Sequence, residues 1–129
     1  MPVKSFSSSV IKWPNEKLVI SSLKKWTNTI LKMNQNVVRI GYFGSYARGD
    51  WGVGSDLDLV IILSQSDLPF ERRNQGWQEH QLPVPTDILI YTQQEWEEMR
   101  KEEMPFFKRM NSEIKWIYME NTNSKNHHK

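Results

Sequence analysis

Three short apolar runs limit what this chain can fold into more than any other feature. The first, Val37 to Phe43, is β-branched and aromatic and suits an interior strand. The second comprises Leu57, Leu59, Val60, Ile61, Ile62 and Leu63, with Asp56 and Asp58 at its entrance. The third, Val84 to Tyr91, carries one acid, Asp87, amid aliphatic residues. Strands this apolar need cover, and the segments between them supply helices. After Pro14, Leu18 or Val19, Leu23, Trp26 and Ile30 recur at three- and four-residue steps with lysines mostly between, which predicts a helix over roughly 15–34. Ser45 to Arg48 opens a short helix, and Gly49 to Gly54 is a loop by composition. A helix is expected over 68–81, although Gly76 costs it about 1 kcal/mol of propensity. Thr92 caps a further helix, with Glu95 at the capping-box position. Pro105 interrupts, another helical piece follows, and Lys115 to Met119 forms a last short strand. The expected order is α-β-α-β-α-β-α-(α)-β, an α/β (α+β) arrangement in which a mixed sheet of about four strands is backed by helices.

The 129 residues fit one compact domain. It is expected over 1–120, with the polar stretch 121–129 as a disordered tail. Seventeen Lys and Arg against 15 Asp and Glu leave a formal net charge of +2. That is too little for a dedicated nucleic-acid binder, whose footprint is a basic stripe. There is no cysteine, which removes disulfides, thiolate zinc sites and cysteine nucleophiles and fits a reducing cytoplasm. With no long apolar run and no charged-then-apolar start, neither a membrane nor a secretory reading is supported.

Gly44-Ser45 ends the first strand and starts a helix. Such a turn offers free backbone N–H groups, the positive end of a helix dipole and a hydroxyl, which together suit a phosphate. A glycine that ends a strand for conformational reasons alone reads the same way. Gly44 to Gly49 has the spacing of a P-loop, but Asp50 stands where the lysine is required. Asp56 and Asp58 alternate along a strand and so share a face, roughly 6–7 Å apart. Carboxylates side by side repel unless cations bridge them. Hard oxygen ligands suit Mg²⁺ or Mn²⁺, and a pair of such ions can clamp a phosphoryl displacement. The bland alternative is a loop-capping Asp56 and a solvent-facing Asp58. Asp87 is costly in so apolar a strand unless something offsets its charge. Either it completes a three-carboxylate cluster with the second strand, or it faces water on an edge strand that Pro85 would tolerate.

Gly44-Ser45, ten residues, then Asp56-Leu57-Asp58, with Ala47-Arg48-Gly49 between and Asp87 on a later strand, resembles the nucleotidyltransferase signature of the DNA polymerase β superfamily. The string GSYARGDWGVGSDLDLVIIL is similar to its small prokaryotic branch, the minimal nucleotidyltransferases, and the likeness runs from Val37 to near Trp116. The resemblance implies a polymerase β-like palm fold and transfer of a nucleoside monophosphate, expected to be AMP from ATP, to a hydroxyl. It implies that Gly44 and Ser45 hold the triphosphate and that Arg48 reaches a phosphate. It further implies that Asp56, Asp58 and Asp87 bind two Mg²⁺ ions (or Mn²⁺), Asp87 also helping to activate the attacking hydroxyl. Larger relatives carry a helical acceptor domain, for which this length leaves no room. Minimal members commonly sit beside a HEPN-type helical toxin as its antitoxin, and a tyrosine of the toxin is the implied acceptor. A homodimer or hetero-oligomer is compatible with this. Two alternatives stand beside it. One is a non-catalytic binding module that neutralises a partner by contact, through aromatics such as Trp51, Trp77, Trp96, Phe106 and Phe107. The other is a small-molecule or RNA nucleotidyltransferase acting as a dimer.

Arg73 and His80 match the loose R-x(4–6)-H spacing of HEPN ribonucleases, but they lie in a connection between strands and not in an all-helical setting. The charges over 97–103 read as a solvated helix face. Asp50 and Asp67 read as loop acids, and His127-His128 as a solvated end.

Overall fold

The computed structural model describes residues 13–120. In chain order the elements are α1 (Glu16–Met33), β1 (Val37–Phe43), the one-turn α2 (Ser45–Arg48), β2 (Leu57–Leu63), β3 (Thr86–Thr92), α3 (Gln93–Lys101), α4 (Pro105–Glu113) and β4 (Lys115–Met119). The strands form one mixed sheet in the order β3-β2-β1-β4. β1 is antiparallel to both β2 and β4, and β2 is parallel to β3. This is the mixed sheet with helices that the sequence leads one to expect.

Burial on both faces explains why the central runs are apolar without alternation. On one face Ile40, Tyr42, Leu57, Leu59 and Ile61 pack against Val19, Leu23, Trp26 and Ile30 of α1. On the other, Val38, Val60 and Ile62 meet Trp96 of α3 and Phe107 and Met110 of α4. In α1 the apolar stripe selects Val19 and leaves Leu18 exposed. That helix starts where Asn15 Oδ1 accepts the Leu18 N–H (2.9 Å). α3 opens on the expected capping box: the Glu95 N–H donates to Thr92 Oγ1 (3.2 Å), and the Thr92 N–H donates to Glu95 Oε1 (2.9 Å).

The segment between β2 and β3 departs from expectation. In place of a helix over 68–81 it holds two single 3-10 turns, Phe70–Arg72 and Glu79–Gln81. Gly76 (φ +82°) and Gln78 (φ +56°) take left-handed backbone, which ends a right-handed helix. Tertiary bonds outweigh local propensity here. The Trp26 Nε1–H donates to the carbonyl of buried Trp77 (2.9 Å), and the Trp77 Nε1–H donates to the Arg73 carbonyl (2.5 Å). Arg73, only 7% exposed, forks onto Glu95 (2.6 and 3.0 Å) and donates to the Leu68 and Ile90 carbonyls (2.7 and 3.3 Å). Its role is to clamp this connection to β3 and α3, while His80 is exposed. The third strand begins at Thr86 and not at Val84, since Pro83 and Pro85 lack the N–H groups that a ladder needs. The Ser-rich start and the tail 121–129, with its paired histidines, lie outside the described residues. Among those residues no helix is long and apolar enough to cross a membrane.

Candidate active site

The sheet register decides where the acids meet. In the parallel β2–β3 pair Asp58 lies opposite Asp87, and directly paired residues point to the same face. That face is the one α3 and α4 cover, as the burial of Val60 and Ile62 further along β2 shows. Asp56 stands just ahead of β2 and is exposed. β3 is an edge strand of this sheet and Asp87 is exposed, yet its partner across the ladder is the half-buried Asp58. Asp87 thus holds an edge position on the face it shares with Asp58.

Gly44 ties the other half of the motif to the same spot. Phe43 is paired with Asp58, so the chain leaves β1 beside that carboxylate. Gly44 has φ +76° and ψ −154°, a conformation essentially reserved for glycine, and a Cβ there would fall on Asp58 Oδ2. The Arg48 N–H then bonds the Gly44 carbonyl and the Gly49 N–H the Ser45 carbonyl (both 2.9 Å), closing α2. One turn carries little macrodipole. What it presents is backbone N–H groups and the Ser45 hydroxyl, which makes no hydrogen bond among the described residues.

The loop after α2 is anchored by aromatic side chains. Buried Tyr46 stacks on Trp51 (5.4 Å, 9°), and its hydroxyl accepts from Trp13 Nε1 (3.2 Å). The Trp51 Nε1–H donates to Glu16 Oε1 (3.0 Å). Trp51 therefore braces the approach to Asp56, and Trp77, Trp96 and Phe107 are core. Of the aromatics named from sequence as interface candidates, Phe106 alone stands well out, 45% exposed and edge-on to Phe43.

A residue absent from the motif completes the site. Glu113, at the end of α4, accepts from the Gly44 N–H (3.2 Å) and from Arg48 Nη1 (3.1 Å) through the same oxygen. Arg48 also donates from Nε to Asp50 Oδ2 (3.1 Å). A cleft of about 170 Å³ lies between Gly44, Arg48 and Asp58 on one side and Phe106, Arg109 and Glu113 on the other. The available signal was helical spacing: Phe106, Met110 and Glu113 fall on one stripe of α4.

Burial, and then neighbouring charge, marks Asp58. Its carboxyl is pushed up to about 6, first by burial and then by Asp87 and Asp56, with Arg48 opposing. Among the described residues none of the three acids accepts a hydrogen bond or forms an ion pair. They are not drawn into a closed cage either, since no three acids or histidines among those residues are close-set enough to enclose an ion. As donors, the carboxylate oxygens of the three acids are of the hard type that Mg²⁺ takes.

The family model for the nucleotidyltransferase domain matches residues 24–125. A Methanocaldococcus jannaschii protein named as a protein adenylyltransferase is 35% identical over 72 residues, spanning 56% of this chain and 71% of that one. The fold is shared with a crystal structure described as a nucleotidyltransferase from Sulfolobus solfataricus. The TM-score is 0.58 at 15% identity, with 81% of this chain and 83% of that one covered. It is shared as well with a crystal structure of a toxin-antitoxin with AMP-PNP, at a TM-score of 0.56 and 16% identity, with 79% and 77% covered.

Proposed function

The chain belongs to the nucleotidyltransferase domain family and is a nucleotidyltransferase enzyme; from that premise we propose that it moves AMP from ATP to a tyrosine hydroxyl of a HEPN-type helical toxin, and so acts as its antitoxin. The observation that carries the chemistry is the meeting of Asp58 and Asp87 across the β2–β3 ladder, beside the Gly44 turn. The backbone N–H groups of Gly44 and Ser45 and the Ser45 hydroxyl bind triphosphate oxygens, and Arg48 offsets their charge. Asp56, Asp58 and Asp87 would hold magnesium, which would supply charge neutralisation and alignment for in-line displacement. The acceptor oxygen forms its bond to the α-phosphorus as the bond to the bridging oxygen breaks, and pyrophosphate departs. The hydroxyl proton passes to Asp87, which is open to solvent and able to release it.

Support for a protein acceptor comes from the name of the Methanocaldococcus relative, and support for the partner from the toxin-antitoxin neighbour with AMP-PNP. Asp87 stands at an exposed edge, where a partner's side chain can reach it. The test is to incubate the protein with its HEPN partner, Mg²⁺ and α-labelled ATP. Label on a partner tyrosine, lost with Asp58→Asn, is expected. Neutralisation of the partner that survives Asp58→Asn without any label would instead identify a contact-only binding module.

A further inference from the structure

Glu113 is placed against the local electrostatics. It is the last residue of α4, where the helix dipole disfavours an anion. It also adds to the negative charge bearing on Asp58. Its carboxylate is half-buried all the same, and one oxygen takes both the Gly44 N–H and Arg48 Nη1. A backbone N–H with a guanidinium is the donor pair that a phosphate oxygen would require. An anion of the protein's own thus stands on the donors assigned above to the triphosphate.

The same helix offers that carboxylate another place. Arg109 lies one turn earlier and lines the same cleft. Among the described residues it makes no ion pair. Positions 109 and 113 have the i,i+4 spacing at which opposite charges meet on a helix. A small rotation of Glu113 would exchange one guanidinium for the other and release the Gly44 N–H.

We propose that Glu113 is an internal competitor for the nucleotide: it occupies the Gly44–Arg48 anion slot, retires to Arg109 when a triphosphate arrives, and so sets nucleotide affinity. This rests on the nucleotide reading above. An internal anion that binds only the empty site reduces apparent affinity by the fraction of time it spends there. A partly exposed pair of this kind is worth up to about fivefold in a binding constant.

The experiment is calorimetric titration of ATP with Mg²⁺, and of tripolyphosphate, into wild type, Glu113→Gln, Arg109→Ala and the double variant, with melting curves as a check on folding. Glu113→Gln should bind both probes about two- to fivefold more tightly. Arg109→Ala should weaken binding in the wild-type background and leave it unchanged in the Glu113→Gln background. Unchanged or weaker binding by a folded Glu113→Gln variant overturns the proposal. So does an equal loss from Arg109→Ala in both backgrounds, which would make Arg109 a direct phosphate ligand. Wild type that binds neither probe would sink the nucleotide reading itself, and this inference with it.

Discussion

Replacing Asp58 by asparagine should make the metal-free protein more stable, although Asp58 sits at the centre of the proposed chemistry. Its carboxyl rises from an ordinary 3.8 to about 6, and at about 1.4 kcal/mol per pH unit that is roughly 3 kcal/mol of unfavourable charge at neutral pH. Asp58 is only half-buried, and screening by water reduces this to about 1.5 kcal/mol. For a domain of this size that corresponds to about 5 °C in Tm. The sign follows from proton linkage: between pH 4 and 6 the folded state holds the proton more tightly than the unfolded chain, so wild-type stability falls as pH rises through that window and stays reduced above it. Asparagine carries no charge to penalise. Melting curves of both proteins in chelator should show the variant ahead by about 5 °C at pH 8, with the gap closing as pH drops towards 4. Added Mg²⁺ should then raise the wild type alone. An asparagine variant that melts below wild type at pH 8, or a gap that ignores pH, would refute the reasoning from a carboxylate raised by burial and by its acidic neighbours.

Gly44→Ala should cost about 3 kcal/mol, since it imposes backbone that only glycine adopts freely and drives a Cβ into Asp58; a urea midpoint for this variant at or near the wild-type value would contradict the packing described. Arg73→Ala should destabilise by about 3 kcal/mol, because it strips the clamp on residues 64–85 and strands Glu95. Since hydrogen bonding by Arg73 is the main cause holding the Glu95 carboxyl below its ordinary range, that contribution is complete above the ordinary carboxylate pKa and fades as pH falls through the lowered one. The difference between wild type and Arg73→Ala should therefore shrink in acid, as urea titrations at successive pH values will show. Trp51→Ala removes the stack on Tyr46 and the bond to Glu16; it should lower Tm and weaken nucleotide binding through the loosened loop 49–54.

The sheet was legible because its signals are local. β-branched runs, the Thr92 capping box and Pro105, which parts α3 from α4, each act within a few residues. Gly44 and Asp58 were legible because a short turn leaves β1 where it pairs with β2, whereas Asp56 falls just ahead of β2, outside the strand alternation expected of it. Asp87 needed the register of β3, which the sequence constrains only through the apolar pattern. The misread segment 68–81 shows the opposite case. Its helical composition yields to Arg73 and Trp77, whose partners Glu95 and Trp26 lie far away in sequence. Glu113 escaped for the same reason: it reaches Gly44 across 69 positions, through the packing of a whole helix and not through a motif.

The most direct test of a single shared site is electron paramagnetic resonance of Mn²⁺ titrated into the protein with a non-hydrolysable ATP analogue. Wild type should take up the ion when the nucleotide is present, and Asp56→Asn, Asp58→Asn and Asp87→Asn should each weaken that uptake sharply. Manganese held equally well after loss of Asp58 or Asp87 would mean that these carboxylates do not face a common ligand, and the catalytic assignment would go with them.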